Sequence, residues 1–166
     1  KPGPQPSSIV LTSAQLRSEG SQGLGGDIFA SADNVHLLDD TTISADGAIG
    51  GGNIKLGGGY QGKDASIANA LRTFVSAGTL ISANATTAGD GGEVIVWADD
   101  VTRYFGHITA TGGAQGGDGG FAEVSGKAYL DFQGTVDLTA AKGQTGTLLL
   151  DPTDIEITDA DENITD

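Results

Sequence analysis

Gly91-Gly92-Glu93-Val94-Ile95-Val96-Trp97 decides the fold of this chain, because its pattern keeps returning. Earlier copies are Gly25-Gly26-Asp27-Ile28-Phe29-Ala30 and Gly51-Gly52-Asn53-Ile54-Lys55-Leu56. A later one is Gly119-Gly120-Phe121-Ala122-Glu123-Val124, and Gly146-Thr147-Leu148-Leu149-Leu150 is a weaker fifth. Counted from the first glycine of each doublet, the steps are 26, 40 and 28 residues, and Gly120 to Gly146 is again 26. Self-similarity at such a period marks a solenoid, in which no single repeat can bury its own apolar face.

Each repeat divides into about three strand-sized runs separated by Gly, Asp, Asn or Ser. In the Gly91 repeat these are 93–97, 101–105 and 107–110. Alternation within the runs places one face inward, which sets Val94 in the core. The third run is the most regular: Ile43-Ser44-Ala45, Ile81-Ser82-Ala83 and Ile108-Thr109-Ala110 share one pattern, and Leu16-Arg17-Ser18 is its degenerate start. Three short strands per turn is the arithmetic of a parallel β-helix, with like strands stacked at about 4.8 Å. Parallel crossovers are overwhelmingly right-handed. The expected fold is therefore all-β, a right-handed parallel β-helix of about five turns with one loop insertion. Residues 1–8 read as a linker, 9–158 as the β-helix and 159–166 as an acidic tail or the start of a further segment. The 40-residue step is one turn carrying an insertion at about 58–71. That insertion reads mostly as loop, with 64–71 able to form a single helical turn.

Composition narrows the function. Glycine is 28 of 166 residues, far above the roughly 7% of ordinary proteins, yet no Gly-X-Y period supports collagen. Aromatic residues are only 5%, so the core must be built from Ile, Val, Leu and Ala. Eight basic against 22 acidic residues give a net charge of −14. That balance repels nucleic acid and anionic membrane surfaces, so no nucleic-acid partner is expected. Half of it lies in residues 151–166, which hold seven acids and no base. No run approaches the ~18 apolar residues of a membrane span. Lys1-Pro2-Gly3-Pro4-Gln5-Pro6 reads as linker, not secretory signal, so a mature product or excised fragment is expected. Cysteine is absent. A solenoid stabilised by stacked burial needs no disulfides, and their absence suits export in an unfolded state.

Several stretches together resemble the filamentous-haemagglutinin-like large exoproteins of Gram-negative bacteria. They are Gly51-Gly52-Asn53-Ile54 through Tyr60-Gln61-Gly62, Asp90-Gly91-Gly92-Glu93-Val94-Ile95-Val96-Trp97, Gly116-Gly117-Asp118-Gly119-Gly120-Phe121-Ala122-Glu123-Val124-Ser125-Gly126-Lys127, and Gly146-Thr147-Leu148-Leu149-Leu150-Asp151-Pro152. The resemblance covers about Gly51 to Ile157. It implies a structural or adhesive segment of a long β-helical exoprotein, secreted by a two-partner system and displayed at the bacterial cell surface. An outer-membrane transporter would be its partner during secretion. Host-surface or matrix glycans or proteins would be its partners afterwards, in attachment or in a biofilm matrix. Nothing in the segment marks a secretion domain or a toxin domain. The resemblance supplies no catalytic residue, no cofactor site and no metal site. Two alternatives remain: a carbohydrate-active β-helix enzyme (lyase or hydrolase) and a specific glycan-binding module.

Individual motifs are weighed against plainer readings. Gly57-x4-Gly62-Lys63 approaches a phosphate-binding loop, and Gly57-x-Gly59-x-x-Gly62 a dinucleotide fingerprint, but both need a following helix. Asp64 also stands where a metal-binding hydroxyl belongs. Asp159, Asp161 and Asn163 have the first spacing of a calcium loop, without its turn glycine. Asp90 and Asp118 each precede a doublet and read as solvated turns. Asp99, Asp100, Asp131 and Asp137 are the carboxylates that could act on a glycan if they met on one outer face. His36 and His107 lie in different turns. Trp97, Tyr60, Tyr104 and Tyr129 could stack on sugar, although Tyr104 and Tyr129 also read as a stacked pair within the rod. Asn84-Ala85-Thr86 and Asn163-Ile164-Thr165 match the N-glycosylation pattern.

Overall fold

Runs of three to six alternating residues are too short to stand alone, and in this protein each is stabilised by its copy one turn away. The structure, a computed structural model, describes residues 5–152. Among these residues fifteen strands, β1 to β15 in chain order, form three parallel five-stranded sheets. Sheet A contains β1 (Ser8–Thr12), β4 (Asn34–Leu38), β7 (Arg72–Val75), β10 (Val101–Tyr104) and β13 (Tyr129–Phe132). Sheet B contains β2 (Gln15–Arg17), β5 (Thr42–Ser44), β8 (Leu80–Ser82), β11 (His107–Thr109) and β14 (Thr135–Asp137). Sheet C contains β3 (Asp27–Ala30), β6 (Asn53–Leu56), β9 (Glu93–Ala98), β12 (Phe121–Gly126) and β15 (Thr147–Leu149). This is a parallel β-helix of about five turns, as the repeat implies.

The register is the one the doublets mark. Asp27, Asn53, Glu93, Phe121 and Thr147 align across sheet C, one residue after each glycine corner. Leu16, Ile43, Ile81, Ile108 and Val136 align across sheet B, so Leu16 does begin that column. Ile43, Ile81 and Ile108 are fully buried, and so are Ala45, Ala83 and Ala110 two residues on. Val94 is fully buried between Ile54 and Ala122. Each such side chain contributes roughly 1.5–3 kcal/mol by leaving water, and stacking joins the contributions into one continuous core.

The doublet glycines are needed for space. None of them has the positive φ that favours glycine; a Cβ on Gly92 would lie 2.0 Å from the Gly52 carbonyl oxygen, and one on Gly119 would lie 1.8 Å from that of Leu138. At this corner, one turn's backbone rides directly on the next. The Gly92 N–H donates to Ala83 O at 2.7 Å and closes the corner, while Gly52 O accepts from Glu93 N at 3.0 Å. Acidic side chains add clips between turns. Asp90 Oδ1 accepts from Asp118 N at 2.7 Å, and Asp118 Oδ1 accepts from Gln144 N at 2.8 Å. Asp33 accepts from both the N–H and the hydroxyl of Ser7, and these bonds hold its carboxyl below the ordinary range.

Two expectations change. The helical turn in the insertion is a 3-10 turn at Tyr60–Gly62, not within 64–71. Here Gln61 and Gly62 both take the left-handed conformation, with φ of 53° and 62°. Tyr104 does not stack on Tyr129, because Val101 is the residue that pairs with Tyr129. Tyr104 pairs with Phe132 instead, and the two rings lie parallel with centroids 5.6 Å apart inside the rod.

The Tyr104 hydroxyl is buried without a hydrogen-bond partner among the described residues, and burial pushes its ionisation well above the ordinary value. An unsatisfied buried hydroxyl costs about 1–3 kcal/mol. Tyr104→Phe is therefore expected to stabilise the protein by about 1 kcal/mol while keeping the stacked ring. A lower urea midpoint in that variant would show that the hydroxyl is satisfied in solution.

Candidate functional site

Two outer faces depart from the solvated polar surface expected of a plain rod. The first is on sheet A, where outward positions repeat at every second residue. One column runs Val10, His36, Phe74, Arg103, Asp131, and the column beside it includes Arg72, Val101 and Tyr129. The rings of His36 and Phe74 lie 6.4 Å apart, and those of Phe74 and Phe105 lie 5.8 Å apart. Val10 and Tyr129 are more than half exposed. His36, Leu38, Phe74 and Val101, with Arg72 and Arg103, line a shallow groove of about 450 Å³. Arg72 is tied to Asp100 at 3.4 Å, whereas Arg103 has no ion-pair partner among the described residues. The sheet backbone beneath is already paired on both sides, so this face offers side chains only.

The second is on sheet C, where the insertion between β6 and β7 folds over the rod as a strap. Outward residues that would otherwise meet water are covered by it: Ile95 and Glu123 are fully buried and Trp97 nearly so. Glycine makes the close approach possible. A Cβ on Gly62 would lie 2.5 Å from the Trp97 ring, and one on Gly58 would lie 2.7 Å from it. The strap is pinned at several points. Lys55 of β6 pairs with Asp64 at 3.1 Å, Asn69 Nδ2 donates to Gly62 O and Asp99 Oδ1, and Tyr60 packs edge-on against Phe121 at 5.8 Å. Hydrogen bonds from the Ser66 hydroxyl and N–H, followed by Lys55, hold the Asp64 carboxyl down to about 2. The Gln61 N–H donates to both oxygens of Glu123, at 3.2 and 3.0 Å. Burial pushes the Glu123 carboxyl above its ordinary value. The Gln61 N–H and the Ser125 hydroxyl oppose this, and the charges of Asp151 and Glu93 add to it.

These arrangements show where the residues singled out in the sequence stand. Gly57, Gly58 and Gly62 seat the strap on Trp97 rather than cradle phosphate, and only a three-residue turn follows. Trp97 is covered, and its indole N–H donates to Asp99 Oδ1 at 3.0 Å, so it presents no sugar platform. Asp100 pairs with Arg72, Asp131 accepts from Gln133, and Asp137 accepts from the N–H and hydroxyl of Thr139. Asp131 lies on sheet A and Asp137 on sheet B, so the four carboxylates share no outer face. His36 and His107 are likewise on different sheets, with His107 bonded to Thr135. Asp90 and Asp118 are inter-turn clips. Asn84 has its amide engaged by Thr109 and Thr111, so it serves as a link between turns. Among the described residues no group of three or more His, Cys, Asp or Glu is placed to hold a metal. Asp159, Asp161, Asn163 and the second glycosylation triplet lie outside the described residues.

Glu123 was missed at the sequence level, where an outward Glu on a strand reads as solvated. A signal was present nonetheless. Val94-Ile95-Val96-Trp97-Ala98 is continuously apolar, which marks a strand covered on both faces. A cover over β9 must also reach its sheet neighbour β12.

The fold is a parallel β-helix, and a comparison with solved structures finds a chain of similar fold. The chain is similar to the HMW1 secretion domain from Haemophilus influenzae, with a TM-score of 0.65 and 26% identity over 86% of this chain. It spans 40% of that domain's length. No protein-family model matches, and no curated protein matches by sequence. Nothing in the sequence marked a secretion domain, whereas this structural neighbour is one. Among the described residues no helix is long and apolar enough to cross a membrane.

Proposed function

We propose that this chain is a non-enzymatic, rod-forming segment of a secreted, cell-surface exoprotein that attaches to host-surface or matrix glycans through the outer face of sheet A. The observation that carries this reading is the half-buried, outward-facing row of His36, Phe74 and Phe105 flanked by the exposed Arg72 and Arg103, on a chain with few aromatic or basic residues. Ring faces stack on the C–H faces of sugars, and guanidinium groups bond hydroxyl or carboxylate oxygens in a fixed geometry. A glycan array probed with the folded segment tests it. Phe74→Ala and Arg103→Ala alter outward side chains only, and each should weaken a bound glycan by about tenfold, the loss of roughly 1.4 kcal/mol. Binding that neither substitution changes would remove sheet A from the reading. New reducing ends or unsaturated products on incubation with polysaccharides would replace it with an enzyme.

Likeness to a secretion domain favours a second reading, in which the segment also engages an outer-membrane transporter during export. Retained secretion of the parent protein after deletion of the segment would count against it.

A further inference from the structure

Glu123 is placed at odds with its chemistry. Ala122 and Val124 point into the rod, so Glu123 points outward from β12, yet the strap buries it completely. Its bonds there are few: the single N–H of Gln61, shared between its two oxygens, and the Ser125 hydroxyl. The nearby lysines of the strap region are directed elsewhere, Lys55 to Asp64 and Lys63 to the Gln61 side chain at 2.6 Å. Among the described residues the charges that raise it are those of Glu93 on β9 and Asp151 after β15, both acidic, while Lys127, just after β12, lines a pocket with Gln61 and Asp151. An ionised carboxylate under a cover, with only two donors and like-charged neighbours, is unfavourable unless it is neutralised or rehydrated.

We propose that Glu123 is a proton-dependent latch for the strap at residues 57–71: protonated, it lets the strap close over β9 and β12, and on ionisation it releases the strap to water. The closed state binds the proton more tightly than the open one, because burial raises the carboxyl's affinity for it. Closure is therefore complete below the ordinary glutamate value and is lost as pH rises through the closed-state value. Asp64, the strap's own acid and the partner of Lys55, is already ionised across that window, since its carboxyl is held down to about 2. The latch does not depend on any role for sheet A.

The fold carries its own reporter. Trp97 is the sole tryptophan, and the strap glycines lie on its ring. Acrylamide quenching of Trp97 fluorescence in the folded segment, from about pH 4 to about pH 9, with circular dichroism confirming an intact rod, follows the strap directly. Quenching should rise about twofold or more with pH in the native protein and stay level in Glu123→Gln, which keeps an acceptor for the Gln61 N–H without the charge. Glu93→Gln removes a like charge and should move the transition to lower pH, so it decides the matter even where Glu123→Gln fails to fold. Level quenching in the native protein, a transition that persists in Glu123→Gln, or a midpoint unmoved by Glu93→Gln would overturn the latch.

Discussion

Val94→Asp is expected to lower the stability of the rod by about 4 kcal/mol or more at neutral pH, and to leave much of the chain unfolded. Val94 is fully buried, with Ile54 in register on one side and Ala122 on the other. None of these neighbours can bond a carboxylate, and every backbone group nearby is committed to the sheet. The charge can escape only by taking up a proton or by opening the turn. The deficit should therefore shrink in mild acid, which separates charge burial from simple loss of volume. Because each turn is supported only by its neighbours, failure at Val94 spreads in both directions along the stack. Urea midpoints for Val94→Asp and Val94→Ala, taken at neutral and mildly acidic pH, measure this. A Val94→Asp midpoint equal to the native one would mean that the side chain faces outward and that the register is wrong by one residue.

Gly92→Ala should be nearly as damaging, for a different reason. The added carbon would stand 2.0 Å from Gly52 O and 2.8 Å from Gly51 C, both backbone atoms held in the corner. Neither can yield without lengthening the Glu93 N–H bond to Gly52 O or the Gly92 N–H bond to Ala83 O. A loss of about 3 kcal/mol is expected, comparable with other cases of severe overpacking. Gly23→Ala is the matched control. Nothing lies within 4 Å of a Cβ there, so the substitution should be neutral or stabilising by about 0.5 kcal/mol through reduced freedom of the unfolded chain. Equal urea midpoints for the two variants would show that the doublets are a matter of sequence habit rather than of contact between turns.

The rod itself was legible because its determinants are local and periodic. A glycine doublet marks each corner, and Ile-x-Ala places one wide and one narrow residue on the same inner face. Even the weak copy at Leu16 falls into register with Ile43. The strap was less legible. Its contact with Glu123 spans 62 residues, and no periodicity links Gln61 to a strand two turns away. Only the continuous apolar run of β9 hinted that something covered it. The Tyr104 and Tyr129 pairing failed for a simpler reason: both fall in sheet A, but three positions apart in register. The aromatic row on sheet A was obscured in a related way. His36 and Phe74 are separated by the long insertion in sequence and become neighbours only once the strap is looped out.

The hydrogen bonds of the three sheets, and the aspartate clips beside them, all run from one turn to the next, along the axis of the rod. Tension applied between the two ends therefore falls on these bonds directly, with the turns loaded in series. Under such a pull the rod is as strong as its weakest junction between turns, and adding turns lengthens it without making it stronger. The side-chain clips at Asp33, Asp90 and Asp118 act in parallel with the ladders they span. They reinforce individual junctions against shear and peeling in a way that the apolar core, which resists no particular direction, does not.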